Sequence, residues 1–137
     1  MAKLQLDIVT PESKAFSEEV DMVVLPGVEG ELGILPMHVP LMTRLLPGEV
    51  RITQGPKEIE LVVGNGFVEV THDKVSILTD MAMADSDVDE HAAEEAIKRA
   101  EAALRDKRLT SDEMAETEAA LARSLAQLRF KRRRHPS

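Results

Sequence analysis

All seven glycines precede Phe67, and from Phe67 to His135 the chain holds neither glycine nor proline. Those two residues let a backbone turn sharply, so their placement decides where short strands can be joined. The first part is written in Val, Ile and Leu between turn residues, which suits paired strands. The rest is written in Ala, Glu, Lys, Arg and Leu, which suits helix. A β domain followed by an uninterrupted helical arm is expected, divided into residues 1–84 and 85–137.

A chain of 137 residues supports one core plus an appendage. Without cysteine it has no disulfide, thiolate metal site or cysteine nucleophile. A formal net charge of -8 argues against broad nucleic-acid binding, and the near absence of aromatic residues disfavours single-stranded nucleic acid. Against that acidic body stands a basic cluster, Arg129 and Lys131, Arg132, Arg133 and Arg134. No apolar run approaches the roughly 20 residues that span a bilayer, and residues 1–9 alternate where a signal peptide would be uniformly apolar.

Leu4, Leu6 and Ile8 alternate with polar residues, and Val20, Met22 and Val24 do so again, each reading as a half-buried strand. Further strands are expected over Leu32–Leu35, Met42–Leu46, Val50–Thr53, Ile59–Val63, Phe67–Thr71 and Val75–Thr79, between proline, glycine and Asn-Gly turns. Many short, closely spaced strands predict a sandwich or barrel, and no intervening helix supports a parallel α/β fold.

Beyond Asp80 the spacing becomes helical. Asp87 with Glu90 reads as a capping box and Arg105–Arg108 as a cationic end, predicting a first helix over Val88–Arg105. Thr110 with Glu113 and then Arg129–Arg134 repeat the signals, predicting a second helix over Ser111–Arg132. Facing stripes of Ala93, Ala96, Ile97, Ala100, Ala103 and Leu104 and of Met114, Leu121, Ala122, Leu125 and Leu128 are light. An alanine methyl contributes ~0.8 kcal/mol and a buried leucine ~1.5–3, so the hairpin is expected to be held weakly. Nothing between Arg105 and Leu109 compels a turn, and composition predicts two forms, a folded hairpin and an extended arm.

No P-loop and no histidine pair at metal spacing occurs, and no nucleophile, base and orienting group stand together. His38, in a proline-flanked loop, reads as structural or interfacial, and His72, His91 and His135 as solvated. Gly27, Gly30 and Gly33 mimic a phosphate loop, but Glu29 and Glu31 between them would repel phosphate and no helix follows. The basic tip reads either as a frayed helix end neutralising its dipole or as a salt-sensitive dock for an acidic partner.

The run Leu25-Pro-Gly-Val-Glu-Gly-Glu-Leu-Gly-Ile-Leu-Pro-Met-His-Val-Pro-Leu41, with Pro47-Gly-Glu-Val50, Gly64-Asn-Gly-Phe-Val-Glu-Val70 and Val75-Ser-Ile-Leu78, resembles the epsilon subunits of F-type rotary ATP synthases over nearly the whole length. The resemblance implies an α+β molecule, a flattened antiparallel β-sandwich of about ten strands followed by an antiparallel two-helix hairpin. It implies a non-catalytic subunit of the central stalk, bound to the gamma subunit and to the c subunits of the membrane rotor ring. It further implies an arm that, when extended, reaches the alpha and beta subunits of the catalytic head and can hold back ATP hydrolysis.

Carried over by residue, Glu29, Gly30, Glu31 and Leu32 resemble the loop that touches the rotor ring. His38, Val39, Pro40 and Met42 resemble part of the gamma-facing surface, and Arg123, Arg129 and Lys131, Arg132, Arg133 and Arg134 the inhibitory cations. Some relatives bind ATP through Ile/Leu-Asp-x-x-Arg-Ala on the first helix. Only Arg99 and Ala100 match, with Glu95 and Ala96 at the apolar and aspartate places, so no cofactor is expected. The location implied is peripheral, on the cytoplasmic face of a bacterial plasma membrane through the complex, or alternatively on a thylakoid. The competing reading is a free-standing adaptor that uses the sandwich and a basic helix.

Overall fold

Alternation in the first strand is realised: in β1 (Leu4–Val9) the side chains of Leu4, Leu6 and Ile8 are fully buried. The computed structural model describes residues 2–136; Met1 and Ser137, the outer ends of the two expected domains, lie outside the described residues. Nine further strands follow, β2 (Lys14–Val20), β3 (Met22–Gly27), β4 (Gly30–Ile34), β5 (Leu41–Leu45), β6 (Gly48–Gln54), β7 (Lys57–Val63), β8 (Gly66–Val70), β9 (Lys74–Thr79) and β10 (Ala82–Met83). A single 3₁₀ turn, Asp85–Asp87, leads to α1 (Glu90–Leu104) and α2 (Ser111–Arg134). The expected sandwich and two-helix order is the observed one.

The strands run β10-β7-β6-β3-β5-β8-β9-β1-β2, with β4 added to β3. Pairing is antiparallel throughout except between β1 and β9, which are parallel. Only Gly27 opposite Leu45 joins β3 to β5, so the sheet folds there into two halves over one apolar core. Gly66 is required where β8 meets β9, because a β-carbon on it would overlap the Leu78 carbonyl.

Several local expectations are corrected. Val20, Met22 and Val24 do not share one strand: the chain crosses between the halves at Asp21, and in β3 it is Val23 and Leu25 that are buried. Asp21 holds that crossing through its carboxylate, which accepts the Gly55 N–H at 2.6 Å. Strand β2 escaped the hydrophobic pattern because it is largely exposed. The first helix is capped by Asp89, which accepts the Ala92 N–H at 3.0 Å, while Asp87 instead closes the 3₁₀ turn on Ala84. Thr110 and Glu113 form the expected reciprocal box, and α2 continues to Arg134, two residues beyond its expected end.

The helix link is also more specified than its composition suggests. Asp106 accepts the Arg108 N–H at 3.0 Å and pairs with its guanidinium, a local turn that uses neither glycine nor proline.

Candidate functional site

The hairpin lies against the sandwich through its second helix, which uses two faces. Leu121, Ala122, Leu125 and Leu128 are half-buried, while Met114 is exposed. The other face carries Ala126 and Phe130, buried with Val62 of β7 and Val88, and flanked by Met81 and Met83. Phe130 is completely buried and is the largest such side chain. It is the anchor the light alanine seam lacked, and it corrects the picture of a hairpin held by alanine and leucine alone. Ala126 and Phe130 stand four apart, a helical signal that the surrounding basic residues obscured.

Around this socket the basic tip meets the protein's own acids. Arg123 pairs with Asp80 at 2.9 Å, and Arg132 with Glu90 and Glu94 of α1 at 2.9 and 3.0 Å. Arg133 bridges Glu49 at 2.7 Å and Glu60, and Arg134 holds Glu60 at 2.6 Å. Lys131 donates to the Asp85 carbonyl at 2.9 Å, and His135, expected to be solvated, lies 2.8 Å from the Asp85 carboxylate. The hydrogen bond from His135, followed by the charges of Lys131 and Arg134, holds the Asp85 carboxyl below the usual carboxylate range. Arg129 is exposed, outside these pairs. The tip is therefore neither frayed nor reaching outward; its acidic dock is shared by the sandwich, the 3₁₀ turn and α1.

The second group of expected residues occupies loops on the sandwich. Val28 and Glu29 form the tip of the β3–β4 hairpin, and Gly30, which opens β4 opposite Gly27, has a φ of 120°. Glu31 is exposed but pairs with Arg51 of β6 at 3.3 Å, and Leu32 packs partly against the core. Between this tip and Leu41 and Thr43 of β5 lies a hollow of about 210 Å³.

The third group follows β4. Met37 adopts a φ of 68°, a left-handed conformation that costs a side-chain-bearing residue roughly 1–2 kcal/mol. It turns the chain so that Val39 and Met42 stand 76% and 68% exposed, with the His38 imidazole 2.6 Å from the Val39 carbonyl. Phe67 and Leu78, partners across β8 and β9, extend this apolar surface, and Leu78 borders a hollow of about 420 Å³ with Val9, Thr10 and Pro11. Sequence reasoning missed them, although period two was the signal: burial of Val68 and Val70 sends Phe67 outward. On α1, Arg99 is exposed and Ala100 buried, so the two matches to an ATP motif do not share a surface. Among the described residues no cluster could hold a metal ion.

Known proteins bear on this geometry. Residues 3–85 match the family model described as ATP synthase, Delta/Epsilon chain, beta-sandwich domain, and residues 86–131 match its long alpha-helix domain. The ATP synthase epsilon chain of Dehalococcoides mccartyi is 52% identical over 99% of both chains. That of Herpetosiphon aurantiacus is 45% identical over 91% of both. Among solved structures, a chain of the Euglena gracilis mitochondrial ATP synthase superposes with a TM-score of 0.74 at 23% identity, over 92% of this chain and 79% of that one. A chain of the Tetrahymena thermophila central stalk and c-ring assembly superposes at 0.60 with 13% identity, covering 94% of this chain and 96% of that one. These two likenesses speak to the fold.

Proposed function

Because this chain belongs to the ATP synthase delta/epsilon family, we propose that it is a rotor subunit of the central stalk, coupling the proton-driven membrane ring to the catalytic head. Its match to an epsilon chain at 52% identity over 99% of both lengths carries this reading. The subunit performs no bond chemistry; it transmits torque through surfaces. Glu29, Gly30, Glu31 and Leu32 meet the polar loops of the c subunits, where an exposed carboxylate turn suits basic side chains. His38, Val39, Pro40 and Met42, continued by Phe67 and Leu78, face the gamma subunit, where an apolar surface this exposed gains most from being covered. Among the described residues no helix is long and apolar enough to cross a membrane, and attachment to the cytoplasmic face of a bacterial membrane runs through the complex.

The arm, residues 85–137, is the regulatory part. Its Arg133 and Arg134 rest on sandwich carboxylates through partly exposed pairs that water can replace one by one. Released, Arg123, Arg129 and Lys131, Arg132, Arg133 and Arg134 grip acidic surfaces of the alpha and beta subunits and obstruct rotation in the hydrolysis direction. Cutting the chain after Ala84 in the assembled soluble complex is expected to leave assembly intact and raise ATP hydrolysis severalfold. An unchanged rate would remove inhibition from the function.

A further inference from the structure

Arg51 stands between two carboxylates on one outer face of the sandwich. It lies directly opposite Glu60 across β6 and β7, and beside Val24 of β3, two residues from the Pro26–Glu31 pair. Cross-strand partners have β-carbons about 5 Å apart, so Glu60 is the natural ion-pair partner of Arg51. Yet Arg51 pairs with Glu31, and Glu60 is taken by Arg133 and Arg134 from the arm. Two guanidiniums already on Glu60 repel a third, which leaves Glu31 as the outlet for Arg51.

We propose that Arg51 is a relay between the arm and the β3–β4 tip: with the arm docked it holds Glu31, and with the arm released it turns to Glu60 and frees the Glu31 carboxylate. This inference rests on the reading of the arm as detachable. Glu49 sharpens the exchange. It lies diagonally from Glu60 on the same face, so departure of Arg133 leaves two like charges close together, with Arg51 beside both to neutralise one. Exposed ion pairs are individually weak, so trading one for another costs little. A rotor-ring loop would thus present one more free carboxylate when the arm is extended than when it is folded.

The chain has no cysteine, so Glu58→Cys and Glu116→Cys accept a pair of distance labels on exposed sites of β7 and α2. In the full chain, Arg133→Glu with Arg134→Glu is expected to lengthen the label distance and to shift the backbone amide resonances of Gly30 to Leu32. In an Arg51→Gln background the same two arm substitutions are expected to lengthen the label distance but to move the Gly30 to Leu32 resonances no further than Arg51→Gln has already moved them. A lengthened distance with an unmoved tip overturns the relay and spares the detachable arm. A tip that shifts equally without Arg51 also overturns the relay, and an arm that stays docked overturns both readings. In wild type, Arg51→Gln alone is expected to shift the tip while the arm stays docked, whereas an unmoved tip would deny that Arg51 holds Glu31.

Discussion

At Asp7 a single carboxylate shows how a polar position in an alternating strand acquires a structural role. Its pKa falls from 3.8 to about 2, chiefly through the Ser17 hydroxyl at 2.7 Å, then Gln5, then Lys74, with burial opposing. A depressed carboxyl contributes stability that is present above its unfolded value and lost as pH falls through the folded one. Asp7→Asn is therefore expected to lower stability at neutral pH by about 1–2 kcal/mol and to flatten the loss of stability between about pH 4 and pH 2, read from thermal unfolding across that range. The polar face of β1 was legible in the sequence, but its partner was not. Ser17 sits in the exposed strand β2, and only pairing of Asp7 with Ser17 across the ladder reveals the contact.

At the scale of elements, α2 is the informative one. Its beginning was readable because Thr110 and Glu113 act locally, three residues apart. Its docking face was not, because Phe130 lies within a run of arginines and its socket is built from β7, the strand-to-helix link and the segment around β10. Phe130→Ala is expected to cost about 3–5 kcal/mol of arm docking, as truncation of a buried aromatic does. Hydrogen exchange should then show α2 amides losing protection while those of β1 and β9 keep theirs. Equal loss in both would mean that arm and sandwich unfold as one unit.

For the whole molecule, charge is segregated, and the segregation is resolved internally. The acids of the body receive the cations of the tip, so the docked hairpin should be salt-sensitive where the sandwich is not. Raising salt from about 0.05 to 0.5 M shortens the screening length roughly threefold and is expected to increase exchange from α2 severalfold, with little change in the sandwich core. A flat response would assign docking to Phe130 alone. By itself the sequence determined most of the elements, though not the exposed strand β2 or the two-residue β10, because turn residues, alternation and caps act over a few positions along the chain. It also carried the family, through runs such as Leu25 to Leu41. Only the tertiary structure decided where the basic tip rests, that Arg51 serves Glu31 while Glu60 serves the arm, and that Phe67 with Leu78 forms an open apolar face. Each of these depends on which distant segments share a surface, and charge or hydrophobicity read along one dimension does not specify that.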